Sequence, residues 1–169
     1  MFKRFSFTKE LSKEEELQEY LAHADKLYQK NLNRELKSLA ILNYHYVTDE
    51  AVDELGLDDE LIHDLLEDFV AQIVKYKPVF MMYIDRLKVD KKSSIELNYT
   101  PLRELAHKNL GVARNLRIKD AQKLLDELMK KDDLEYLTLC ASTLEASVIK
   151  IKPEVALKTS KLMQIKVSL

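Results

Sequence analysis

The sequence predicts an all-α protein, built as an antiparallel up-and-down four-helix bundle with an N-terminal helical extension. Only two glycines and three prolines occur in 169 residues, which leaves few turn formers among many helix formers. Apolar residues recur at spacings of three and four along several long segments. The breaks between those segments are short, which favours antiparallel neighbours. An apolar fraction of 46% is enough to build a core.

Ser12-Lys13-Glu14-Glu15 has capping-box form, and Leu17, Tyr20, Leu21, Ala24, Leu27 and Tyr28 follow on one helical face. That helix is expected to end near residues 31–33. A second, shorter helical stretch is expected over residues 34–43. Thr48 is placed to cap a short helix that stops at Gly56.

Asp58 or Asp59 opens the strongest amphipathic segment, with Leu61, Ile62, Leu65, Leu66, Phe69, Val70, Ile73 and Val74 on its apolar side. Pro78 is expected to kink or end it near Lys77, with a further helical piece over residues 79–87. Residues 88–99 read as a loop. Thr100-Pro101 reads as a capping hydroxyl followed by a first-turn proline. Two more helices are expected at about residues 119–131 and 134–150, divided by Asp132-Asp133. Pro153 marks the last boundary.

Lysine and arginine number 27 against 29 aspartates and glutamates, and the two signs are interspersed. No basic surface able to release many counterions results, which argues against nucleic acid as a partner. The longest apolar run, residues 79–84, is too short to cross a bilayer, and residues 1–7 lack the apolar centre of a secretory signal. A cytoplasmic location without membrane attachment is the expectation. The single cysteine, Cys140, excludes an internal disulfide and reads as a small core residue.

One histidine stands apart from the other three. His107 sits in mid-helix one turn before Gly111, and a glycine inside a helix costs roughly 1 kcal/mol relative to alanine. At about 100° per residue, Arg103, Leu110, Gly111 and Arg114 fall within roughly 60° of His107. Leu102, Leu105, Ala106, Asn109, Val112, Ala113 and Leu116 cluster on the opposite side, which is expected to face the core. His107 then points outward, with Gly111 clearing space for another molecule. His23, His45 and His63 read as ordinary surface side chains.

An exposed histidine, with an ordinary pKa of about 6.5, is largely neutral at neutral pH and offers a ring-nitrogen lone pair. Such a nitrogen can attack phosphorus. Phosphoryl transfer needs in-line positioning and positive charge near the equatorial oxygens, which Arg103 and Arg114 are placed to supply. The four histidines are far apart in sequence and none forms a His-Glu-x-x-His pair, so a metal or hydrolytic centre finds little support.

The stretch Ala106-His107-Lys108-Asn109-Leu110-Gly111-Val112-Ala113-Arg114-Asn115-Leu116 resembles the signature of histidine-containing phosphotransfer (HPt) domains, His-x-Leu-Lys-Gly followed by small and apolar residues. Leu55-Gly56-Leu57-Asp58-Asp59-Glu60-Leu61-Ile62 and Leu65-Leu66-Glu67-Asp68-Phe69 look like the opening helix of such domains. The likeness covers residues 46–151, leaving 1–45 as the extension and 152–169 as a partly helical tail.

The resemblance implies a phosphorelay intermediate that takes a phosphoryl group from the aspartate of a response-regulator receiver domain and passes it to another receiver. A hybrid histidine kinase stands upstream. The carrier itself hydrolyses no ATP and needs no cofactor, because the assisting Mg²⁺ is held by the receiver. His107 becomes the phosphoryl acceptor, Gly111 the clearance residue, Arg103 and Arg114 the electrostatic support, and Lys108 and Leu110 partner contacts. Asn109-Leu110 replaces the usual Leu-Lys, and Arg117 stands where the family commonly has a second glycine. A degenerate adaptor that binds a receiver or another signalling protein without transfer is the alternative. The extension is expected to add helices to the side of the bundle or to mediate self-association. The third option is that it folds back over the His107 face.

Overall fold

The computed structural model describes residues 11–168, so residues 1–7, read above for a secretory signal, lie outside the described part. Among the described residues all regular structure is helical. Helix α1 spans Lys13–Leu32, α2 Asp49–Leu55, α3 Asp59–Lys92, α4 Thr100–Asn115, α5 Lys119–Lys130, α6 Leu134–Ile151 and α7 Pro153–Ser168. None of these helices is long and apolar enough to cross a membrane.

Helix α6 occupies the centre, touching α1, α3, α5 and α7. Helix α3 also packs on α4 and α7, and α4 on α5. The contacts α3–α4, α4–α5, α5–α6 and α6–α3 therefore close a ring. Its interior holds Phe69, Ile73, Phe80, Ile84, Leu102, Leu124, Leu137 and Leu144, all essentially inaccessible.

The capping box at α1 forms as its sequence predicts. Ser12 Oγ accepts from the Glu15 amide at 3.2 Å, and the Glu15 carboxylate accepts from the Ser12 amide at 3.3 Å. The helix then packs against the body through Ala24, Tyr28, Asn31 and Leu32, with Tyr28 donating to Asp120 at 2.8 Å and Asn31 donating to Thr143 Oγ1 at 2.9 Å. Helix α1 of the extension packs against α6 and α7 and leaves His107 exposed.

Residues 34–43 do not make a second α-helix. A single 3₁₀ turn at Lys37–Leu39 follows a tight link in which the Leu36 amide reaches back to the Asn31 carbonyl. Leu36 and Leu39 are both buried, and the i, i+3 spacing of a 3₁₀ turn puts them on one side. Helix α2 ends at Gly56, whose φ of 63° is the left-handed geometry expected of a C-terminal glycine. Thr48 precedes α2 without capping it; its hydroxyl donates instead to Asp59 at 2.7 Å and ties α2 to α3.

Helix α3 runs unbroken through Pro78 to Lys92, past the expected stop at Lys77 and five residues into the segment expected to be a loop. A mid-helix proline costs about 3 kcal/mol through a lost hydrogen bond and a steric clash. Phe80, Ile84 and Leu87, all buried beyond it, contribute roughly 1.5–3 kcal/mol each. Burial outweighs the break. Leu61 and Leu65, expected on the apolar face, are exposed at the rim of that face. At α4 the capping position is Tyr99, not Thr100, and it is the Asn98 side chain that accepts from the Thr100 amide. The limits expected for α5 and α6 hold to within a residue, with Asp133 capping α6 by accepting from the Tyr136 amide.

Because Pro78 is exposed, Pro78→Ala restores a donor without disturbing the core. Allowing about 0.4–1 kcal/mol for the looser unfolded chain, urea unfolding should show a gain of about 2 kcal/mol. No change would mean that α3 bends at this point to suit its neighbours.

Candidate functional site

Helix α4 lies between α3 and α5, and this position decides which of its residues reach solvent. Its buried residues are Leu102, Ala106, Asn109, Leu110 and Ala113. On a helical wheel these centre about 120° from His107, not diametrically opposite it. His107, Lys108, Gly111, Arg114 and Asn115 are exposed.

The imidazole of His107 has no hydrogen-bond or ion-pair partner among the described residues, and nothing covers it. Gly111 has ordinary helical geometry, and a Cβ built on it would meet no atom within 4 Å. The chain's own packing thus makes no demand for glycine here. Arg114 is exposed and its side chain also has no partner among the described residues. Lys108 lies to the α3 side, where its ammonium contacts the Tyr76 hydroxyl at 3.0 Å and sits 5.4 Å from the centre of that ring.

Two of the expected site residues are corrected by the structure. Leu110 is 2% exposed and belongs to the core, so it offers no apolar contact to a partner. It lies only about 60° around the helix from His107, but on the side turned towards the buried arc. Arg103 is on that same side and is already engaged. Its guanidinium donates to the carbonyls of Met129 and Lys131 and pairs with Asp132 at 2.6 Å, over the Tyr99 ring. The arginine closes the C-terminal end of α5, where exposed carbonyls attract a cation. It is a structural group, not support for His107.

Asn109 is fully buried, as its wheel position predicts. Its amide nitrogen donates to the Leu105 carbonyl at 2.8 Å, while its oxygen finds no partner. At the end of α4, Arg117 adopts a φ of 58°, the conformation for which a glycine is favoured, and the Ile118 amide bonds back to the Ala113 carbonyl at 3.0 Å. An ion pair with Glu54 holds the Arg117 side chain against α2.

A second polar group lies elsewhere, and no motif in the sequence marks it. The Asp120 carboxylate, 9% exposed, accepts from Tyr28 and from the Ala121 amide, each at 2.8 Å. Burial pushes this carboxyl above the ordinary range, while those two hydrogen bonds and the nearby Lys150 ammonium pull it back. Tyr44 accepts from the Lys119 amide at 3.0 Å. Burial, with Asp120 close by, raises both the Tyr28 and Tyr44 phenols. Cys140 is buried as expected, and burial pushes its thiol up to about 12.

No group of three or more potential metal ligands occurs among the described residues. No family model, curated protein or solved structure matches the chain. The functional reading therefore rests on what the surface of α4 can do. An exposed, unpartnered imidazole beside an open notch and a free guanidinium can act as a nucleophile towards an incoming electrophile.

Gly111→Ala should raise stability by about 1 kcal/mol in urea unfolding, since the methyl group meets open space and the helix gains propensity. Asp120 should give a pH signature. The folded chain holds its proton more tightly than the unfolded chain, so its contribution is greatest below 3.8 and declines as pH rises towards the folded pKa. Relative to Asp120→Asn, the wild type should lose stability as pH rises above about 4, until the folded carboxyl has ionised. A constant difference would show that Asp120 keeps an ordinary carboxyl.

Proposed function

We propose that the chain is a phosphorelay intermediate of the HPt kind, with the ring α3–α6 as its four-helix bundle and His107 as the phosphoryl carrier. One observation carries this reading. His107 stands exposed and unpartnered, one helical turn before a glycine that the chain's own packing does not require. The motif resemblance supports it independently of that geometry.

In the proposed step, the His107 Nε2 lone pair attacks the phosphorus of a receiver's aspartyl phosphate while Nδ1 keeps the ring proton. An N–P bond forms, the acyl O–P bond breaks, and the aspartate leaves as a carboxylate. Arg114 faces the phosphoryl oxygens, the receiver's own Mg²⁺ would supply further positive charge for them, and Gly111 leaves room for the receiver's loops to approach. The protein is a stoichiometric carrier with a hybrid histidine kinase upstream.

The buried Leu110 and the engaged Arg103 favour a second reading, an adaptor that docks a receiver through this face without transfer. Where the family places a lysine, this chain offers no charge.

Incubation with a phosphorylated receiver should give an acid-labile label that is lost in His107→Gln. Label retained in that variant would refute the assignment, while binding that survives His107→Ala with no label at all would select the adaptor. Arg114→Ala should slow transfer roughly tenfold, about 1.4 kcal/mol at the transition state. Arg103→Ala should leave the rate unchanged and lower stability by about 1.5–3 kcal/mol.

A further inference from the structure

We propose that the cleft between the 44–48 loop and the C-terminal end of α6 binds a small anion that also carries hydroxyl groups, at a site separate from His107. The cleft has a volume of about 420 Å³, and His107 does not line it. That size lies at the lower end of small-molecule sites, which run to roughly 300–1,000 Å³.

The two ends of the cleft differ in chemistry. At the inner end, the Asp120 carboxylate offers lone pairs beyond the two hydrogen bonds it already accepts. The Tyr44 hydroxyl beside it accepts from the Lys119 amide and has its own proton uncommitted. Hydroxyl groups, which donate and accept at once, satisfy this pair.

The rest of the lining carries one ammonium without a carboxylate partner, Lys152, and one exposed carboxylate, Asp49. Lys152 lines the cleft and forms no ion pair with any described carboxylate; its ammonium rests 2.9 Å from His63 Nδ1. An ammonium can only donate, so Nδ1 is the acceptor and the ring's proton is on Nε2, turned towards Asp59 at 3.4 Å. The imidazole thus neutralises none of the lysine's charge. Lys150 is different, being paired with Asp25 at 3.1 Å and placed over the Tyr28 ring at 3.9 Å. The negative end of α6 favours a cation nearby, but Lys152 turns to His63 instead of to a carbonyl. Lys152, partly buried and with two N–H groups to spare, and His45, which also lines the cleft and has no side-chain partner among the described residues, call for an anion. Leu66 and Ile151 between the two ends suit a short carbon chain.

The shared chemistry is therefore a short polyol bearing one phosphate or carboxylate. Amide-resolved NMR titration of the full chain with glycerol 3-phosphate, glycerate, inorganic phosphate and glycerol distinguishes these sources. Glycerol 3-phosphate or glycerate should bind saturably below about 1 mM, with shifts confined to the cleft and intact in His107→Gln. Lys152→Met should weaken that binding at least tenfold, and Tyr44→Phe severalfold. Should Lys152→Met fail to fold, His45→Gln at the exposed rim should also weaken the anion. The proposal is overturned if neither organic anion saturates, if inorganic phosphate or glycerol binds as tightly as both, or if the variants bind like the wild type.

Discussion

The fold depends on one helix being surrounded. Helix α6 buries Leu134, Leu137, Cys140, Ala141, Thr143, Leu144, Ala146, Ser147, Val148 and Ile149, which cover far more than a single stripe. A helix apolar around most of its circumference is stable in water only when neighbours enclose it. Its two neighbours in the ring, α3 and α5, leave one side of α6 bare, and α1 and α7 cover it. Its small and hydroxylated residues suit that role. Thr143 and Ser147 bond back to carbonyls of their own helix at 2.7 and 2.6 Å, and Thr143 also takes the hydrogen bond from Asn31 of α1. The N-terminal helix is thus a wall of the core, fastened by Tyr28 to Asp120, Lys150 to Asp25 and Lys161 to Glu16.

Local signals were legible in the sequence where local physics decides the outcome. The Ser12 capping box, the left-handed stop at Gly56 and the ends of α5 and α6 rest on contacts within a turn or two. Where tertiary burial competes with propensity, the sequence misleads. Pro78 carries the strongest helix-breaking signal in the chain, yet Phe80, Ile84 and Leu87 beyond it have a core to enter. Residues 34–43 show the reverse, with helical composition but only Leu36 and Leu39 having a place to bury. A sequence alone does not say which neighbours a segment will meet.

The same distinction applies at the surface of α4. The exposure of His107, Gly111 and Arg114 follows from helical periodicity, as does the burial of Asn109. Leu110 and Arg103 do not, because a wheel assumes that the buried side lies opposite the exposed one. Two flanking helices shift it sideways, enclosing Leu110 and drawing Arg103 to the end of α5. The cleft residues were invisible for another reason. Tyr28, Tyr44, Asp120 and Lys152 come from four separate parts of the chain and share no spacing.

The corner between α4 and α5 has a consequence of its own. Arg117 occupies a backbone conformation that an arginine adopts only at some cost, and its side chain is clamped by Glu54 of the seven-residue helix α2. A glycine would relax the bend but would sever the clamp. The short helix thus braces the corner at the end of the histidine-bearing rod, and removing Glu54 would leave Arg117 in a costly backbone conformation without the ion pair that holds its side chain.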